Sequence, residues 1–455
     1  MPDAALKTTR RPGRAAAALC AIALGFAACS ANDDAATAGD PESPTSTTTS
    51  SPTSSSTPTS DPPERTASFR GVTADTIEVG FVDVDFERLR TELGIDVGSP
   101  DTGRIVEALV ADLNDRGGIN GRRVEVVIEL FLPANVAMAD EICLRLVEDE
   151  EVFAVLGGFG GPGAEEGNGC ITGPGETILV GGQLTDERLA QATAPWISPD
   201  MDVARRGTAF VNALVESGEL DDLGPISVHA VLPDQDETAD AIRDALVDAG
   251  ATVAFRSTGL AGTDQIAAAT ETELMLEQAR VEGVASIVVV GTSPTITDSI
   301  FTAGDFTVIV ANTEEVANLE HAAFGEGDRL IGGGSIARLD DPELAACIDR
   351  ATAAVGADAI PADANDGDLS FWTSTLRACR NVALFEAVAV EAGTDLTNES
   401  FAAALATVDL PPLPVYEFAS LGADKPDARD TLSVLEWDAE LADFVEIAGP
   451  FDVAE

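Results

Sequence analysis

Basic charge is scarce in this chain. Its 455 residues hold 26 Lys plus Arg against 79 Asp plus Glu, a formal charge of −53. Lysine is nearly absent, with only Lys7 and Lys425. So acidic a surface repels phosphate backbones, which excludes a general nucleic-acid binder, and it offers no basic face to anionic lipid headgroups. Histidine is almost missing too. His229 and His321 stand far apart with no cysteine beside either, so no zinc site of Cys and His is expected. Catalytic motifs are lacking: there is no G-x-S-x-G elbow and no H-E-x-x-H, and carboxylate pairs are too common to mark an active site. No enzymatic activity and no cofactor are expected. Aromatic residues make up 5%, with one tyrosine, Tyr416. No segment reaches 18 uninterrupted apolar residues, so no transmembrane helix is expected.

Hydrophobic residues supply 45% of the chain, ample for two or three domains or for one bilobed unit with a tail. The lysine-poor acidity reads either as adaptation to salt or as compositional drift. Near the N-terminus, Lys7, Arg10, Arg11 and Arg14 precede an apolar run over residues 15–28, the pattern of a signal peptide. That run ends in Phe26-Ala27-Ala28-Cys29. This resembles a bacterial lipobox, in which the cysteine is lipidated and becomes the new N-terminus; the alternative is ordinary cleavage near Ala28. Residues 29–66 are Ser, Thr, Pro and Asp with few large apolar side chains, and read as a disordered tether.

Once export is accepted, four cysteines remain beyond Cys20 and Cys29: Cys143, Cys170, Cys347 and Cys379. An even number in an exported chain suggests disulfides. Three connectivities can be written. Closest-neighbour pairing gives Cys143–Cys170 and Cys347–Cys379, each loop stabilising by about 3–4 kcal/mol. Buried free thiols are the alternative.

From about residue 75 the pattern alternates. Strands are expected at Ile77–Val82, Val124–Leu130, Val152–Leu156, Thr177–Val180, Ile226–Leu232, Ala251–Phe255, Ala285–Val290 and Thr307–Val310. Helices are expected at Gly103–Asn114, Asn135–Val147, Val203–Leu214, Thr238–Ala249 and Asp264–Val281, and again over 341–355, 369–393 and 398–407. The strands are continuous Val/Ile/Leu runs, as in parallel sheets covered by helices on both faces. Residues 412–452 read as short strands with turns.

The segment Ala108–Glu125 is the most specific local signal: a helix stops at Gly117-Gly118, and an Asn120-Gly121 turn leads into a strand. It resembles the first helix and second strand of type I periplasmic solute-binding proteins of the branched-chain amino acid family. Ile77–Val82 resembles that family's first strand, and Cys143–Gly157 its second helix and third strand. Ser198-Pro199-Asp200 resembles the first crossing between lobes, and Asn312–Asn318 a loop of the second lobe. A bridge in the place of Cys143–Cys170 is common among these proteins. The resemblance covers about 75–450. It implies an α/β fold of two Rossmann-like lobes with parallel sheets, a hinge of three crossing strands and a ligand cleft between lobes. Lobe 1 would take 67–200 with 340–410, and lobe 2 would take 201–339 with 411–455, after a signal peptide at 1–28. By the same resemblance the chain is a monomeric substrate-binding lipoprotein of an ABC importer. It would serve permease subunits at the outer face of the cell membrane and bind a small polar solute, an amino acid or amide-like molecule. A sensing or interaction module of the same fold is the alternative.

Ligands of α/β sheets sit at the carboxyl ends of strands. Here that place is the loop Gly157–Gly163, where backbone N–H groups of Gly160 and Gly161 are candidates for a carboxylate and Phe159 for an apolar ligand part. Amino-acid-binding relatives carry a serine in this loop, and this chain has none. Thr185 falls where a ligand-contacting hydroxyl stands, or else caps the helix that follows. In lobe 2, Gly291 and Thr292 follow a strand, and Glu314 falls where relatives place the carboxylate that pairs with a ligand ammonium; its other reading is an exposed surface acid. Gly158–Gly163 also spells G-x-G-x-x-G, but it follows the third strand and no acid closes a strand about 20 residues on, so a dinucleotide is not expected.

Overall fold

The structure is a computed structural model that describes residues 65–94, 99–133, 135–161, 164–259, 265–291, 294–316, 329–338, 340–356, 369–441 and 443–454. The signal, Cys29, most of the tether, Thr292 and His321 lie outside those residues.

The first block of chain runs β1 (Thr76–Val84), α1 (Phe86–Leu93), α2 (Thr102–Asp115), β2 (Arg123–Phe131), α3 (Val136–Leu144), β3 (Ala154–Gly157), α4 (Glu166–Thr172), β4 (Ile178–Gly181), α5 (Asp186–Gln191) and β5 (Trp196–Ile197). Its strands form one parallel sheet in the order β2-β1-β3-β4-β5. Every residue of β3 and β4 is buried, which follows from helices covering both faces. β1 shows the two faces: Ile77, Val79 and Phe81 pack with Ile105 and Leu109 of α2, whereas Val82 packs with Ile142 of α3.

The second block runs α6 (Val203–Ser217), β6 (Ile226–Ala230), α7 (Asp236–Asp248), β7 (Val253–Thr258), α8 (Gln265–Glu282), β8 (Ser286–Val290), α9 (Pro294–Phe301), β9 (Thr307–Val310), α10 (Thr313–Val316) and β10 (Leu330–Gly334). Then come α11 (Pro342–Val355), α12 (Leu369–Glu391) and α13 (Asn398–Ala404), and last β11 (Thr431–Asp438) and β12 (Asp443–Asp452). The second sheet has the order β12-β11-β10-β9-β8-β6-β7, parallel except for β11 and β12. Helices α6 and α7 cover one face, and α8 and α9 the other. The helices α11–α13 return to the first sheet, where Leu344, Phe385 and Phe401 join the core with Phe81.

The Asn120-Gly121 turn forms as expected. Both residues have positive φ, 50° and 80°, the pattern of a two-residue hairpin turn. Both disulfides pair with the nearest neighbour: Cys143 of α3 to Cys170 of α4, and Cys347 of α11 to Cys379 of α12. The expectation for the tail is corrected. Residues 412–430 hold only isolated bridges, and the true strands are two longer ones, β11 and β12, which extend the second sheet as an antiparallel hairpin. Alternating Thr431–Asp438 packs on β10, so tertiary pairing decides its length.

Candidate functional site

The parallel parts of the two sheets share one topology. The first is 2-1-3-4-5 in its own strand numbers, and β7-β6-β8-β9-β10 repeats that order. Crossovers leave the first strand of each sheet in opposite directions, so a crevice opens at the carboxyl ends of its first and third strands. In the first sheet that crevice lies between the ends of β1, at Asp83 and Val84, and of β3, at Gly157. In the second it lies between the end of β6 and Gly291, which follows β8.

Backbone dominates both edges. Gly157 has φ of 96°, and a Cβ there would stand 2.2 Å from the Val82 carbonyl oxygen, so only glycine lets this loop lie against β1. Asn168 then fixes the loop from below. Fully buried, it accepts from the Phe159 N–H at 2.8 Å and donates to the Phe159 carbonyl at 2.9 Å. The expectation that Phe159 packs on ligand is corrected by this geometry. Its ring is 1% exposed and stands edge-on to Phe131 at 5.1 Å, inside the core beneath α3 and α4. Gly160 is half-buried, and a side chain added there would meet no atom within 4 Å. Gly161 turns with φ of 93° beside Pro133. Thr185 caps α5, accepting from the Arg188 N–H at 3.3 Å.

In the second sheet, Gly291 has φ of 79°, and a Cβ there would fall 1.9 Å from the Gln235 side chain. Gln235 in turn accepts from the Leu232 N–H at 3.3 Å. Glu314 lies on α10, at the carboxyl end of β9, one strand from Gly291. Sequence reasoning missed Asp83, Asn168 and Gln235. The only signal for Asp83 was an acid closing an apolar strand.

Asp83 is 4% exposed, and among the described residues its Oδ2 has no hydrogen-bond partner. Burial pushes its carboxyl above the usual range, while the Arg377 charge, the Val84 backbone and the Thr102 hydroxyl act the other way. It reaches the wall of a cavity of about 770 Å³ outside the ends of β1 and β2.

Where the chain passes between the sheets, Tyr416 is fully buried. Its hydroxyl donates to Asp200 Oδ1 at 2.7 Å and accepts from Arg380 Nη1 at 2.8 Å. The Arg380 and Arg429 guanidiniums lie 3.8 and 4.7 Å from its ring centroid. The single tyrosine thus pins the crossing strands and forms no wall at the glycine loops. Ser198 bridges to Asp427 in parallel. Arg205 reaches Asp427 at 2.6 Å and Asp430 at 3.0 Å, and Lys425 reaches Asp430 at 2.9 Å.

No family model matches the chain, and no curated protein matches it. Solved structures do. A fatty acid ABC transporter substrate-binding protein from Thermomonospora curvata shares 16% identity over 86% of this chain and 96% of its own, with a TM-score of 0.58. A branched chain amino acid ABC transporter from Thermus thermophilus with bound valine shares 13% over 84% and 97%, at 0.56. A periplasmic binding protein type 1 from Bordetella pertussis Tohama I shares 14% over 83% and 100%, at 0.58. At these identities the likeness is one of fold: the chain is an α/β protein with the parallel-sheet lobes of a type I periplasmic binding protein.

Proposed function

We propose that the chain is the solute-binding protein of an ABC importer, exported and held at the outer face of the cell membrane by lipid on Cys29. The observation that carries this reading is the repeated 2-1-3-4-5 topology, which gives each lobe a switch-point crevice edged by backbone instead of catalytic side chains. A solute held by both edges stabilises a closed form, which is what a permease recognises. The N–H groups of Gly160 and Gly161 hold an acidic or amide oxygen, and Thr185 and Gly291 border the solute. Glu314 pairs with a cationic group if the solute is an amino acid. Phe159 is left out, because its ring belongs to the core. Solved structures of this fold include a fatty acid transporter protein and a branched chain amino acid transporter protein, so the test covers carboxylic acids as well as amino acids.

The test is a melting-shift panel of amino acids, amides, short peptides, polyamines and carboxylic acids. At 100 times its dissociation constant a ligand adds about 2.7 kcal/mol, readily seen in a melt. If an amino acid binds, Glu314→Ala should weaken it by about 2–5 kcal/mol; unchanged affinity removes Glu314 from the site. A sensory module of the same fold is the second reading, favoured by the lack of a serine in the glycine loop. Solute uptake that stops when Cys29→Ala releases the protein from the membrane would decide for transport.

A further inference from the structure

β1 sends Ile77, Val79 and Phe81 into the core beneath α2 and α12, and its alternation puts Asp83 on that same face. A carboxylate there is costly to bury, because its charge leaves water. Such groups normally have partners for both oxygens. Asp83 is 4% exposed, and among the described residues its Oδ2 has no hydrogen-bond partner and it makes no ion pair. Arg377 acts on it only through space. The Val84 backbone and the Thr102 hydroxyl hydrogen-bond the carboxyl, which still leaves Oδ2 without a partner among the described residues.

The cavity that Asp83 lines has a second relevant property. Its wall carries the carboxylates of Asp83, Asp85, Glu87, Asp101 and Glu107 against two guanidiniums, Arg90 and Arg104. Both guanidiniums are engaged: Arg90 pairs with Glu87, and Arg104 donates to the Ala354 carbonyl at 2.5 Å. Glu87, Asp101 and Glu107 stand exposed at its mouth and Asp83 is buried; a concave wall with this excess of negative charge concentrates cations. It lies on the β2 side of β1, beside the crevice whose other edge is the glycine loop after β3.

We propose that this cavity binds an organic cation, the primary amine or guanidinium of a small solute, with Asp83 as the buried counter-charge at its floor. The proposal rests on the solute-binding reading and names the solute class: a molecule whose cationic end sits outside β1 and β2. A cationic group in the cavity supplies the counter-charge that Asp83 lacks.

Calorimetry of the purified full chain with putrescine and agmatine tests it, with acetamide and butyrate as uncharged and anionic controls. The amines should bind, and Asp83→Asn should weaken them at least tenfold. Arg377→Met should tighten them several-fold by removing a repelling charge, an effect that a purely structural role would not produce. This second variant also decides the matter if Asp83→Asn fails to fold. Amine affinity unchanged in Asp83→Asn, or weakened in Arg377→Met, overturns the proposal. Binding of acetamide or butyrate but of neither amine overturns the cation site and leaves the solute-binding reading standing. No binding of an amine to the unmodified protein also overturns it.

Discussion

His229 lies on β6, one strand in from the edge of the second sheet, 1% exposed, with Nδ1 2.9 Å from Ser257 Oγ and, among the described residues, no partner at Nε2. Burial first, and the Arg256 charge second, push its pKa down to about 4 from 6.5. The native state therefore keeps this imidazole neutral down to about pH 4, while the unfolded chain protonates it below about pH 6.5. Between those limits the unfolded state binds more protons, so stability falls as pH falls; below the native pKa this group adds no further loss. The difference amounts to about 3 kcal/mol across that window. Urea midpoints at pH 7, 5.5 and 4 should fall accordingly, and His229→Gln should flatten that component; an identical fall in the variant would remove His229 as its source. Its place in the apolar run Ile226–Leu232 accounts for this burial. Phe159 shows the opposite case. Its position in a glycine-rich loop suggested exposure to ligand, and the amide of Asn168, nine residues on, holds its backbone so that the ring joins Phe131. No local rule announces that pairing.

At the scale of elements, helices cover each sheet so that strands such as β3, β4, β6 and β8 are buried throughout, and the two disulfides staple pairs of helices on the first sheet. Cys347–Cys379 joins α11 to α12 across a separation of 32 residues, and Cys143–Cys170 joins α3 to α4 across 27. Helix α12 carries Leu376, Phe385 and Val388 into the core of lobe 1, and it also carries Arg380, which holds Tyr416. Replacing Cys347 and Cys379 together by serine should lower stability by about 3–4 kcal/mol through the freer unfolded chain. The same change should loosen the Arg380–Tyr416 contact at the crossing. Denaturant unfolding measures the first effect; a loss below 1 kcal/mol would mean the helices are fixed by packing alone. The strands β3, β4, β6 and β8 were legible because burial on both faces leaves unbroken apolar runs. β5, two residues long, and β10, which contains three glycines, left no such run. Their pairing with β4 and β9 creates them.

For the whole molecule, a formal charge of −53 sets the behaviour. Self-repulsion among carboxylates opposes the compact state, and salt screens it, with a Debye length of about 10 Å at 0.1 M and about 3 Å at 1 M. The melting temperature should therefore rise as NaCl goes from low concentration to about 1 M. A flat or falling curve would show that local ion pairs, such as Arg205 with Asp427 and Asp430, outweigh the general repulsion. Those pairs concentrate where the chain crosses between sheets. There Arg205, Lys425, Arg380 and Arg429, four of the scarce cations, gather around Asp200, Asp427 and Asp430. A chain short of positive charge has spent several of its cations on the crossing strands, which fixes how the two sheets are joined.

The sequence alone determined the period of the elements, the order of strand and helix, the tight turn at Asn120-Gly121 and the cysteines available for pairing. Each of these depends on neighbours within a few residues, or on whether a run is buried on one face or two. The tertiary structure decided what those elements bring together. The 2-1-3-4-5 order in the parallel part of each sheet, the packing of Phe159 on Phe131, the seating of Tyr416 beside two guanidiniums and the burial of Asp83 all depend on segments tens to hundreds of residues apart. Hydrophobic patterning says that a strand is covered, but the cost of burying a particular carboxylate, hydroxyl or amide is set by which distant groups reach it. Those distances exist only in the folded chain.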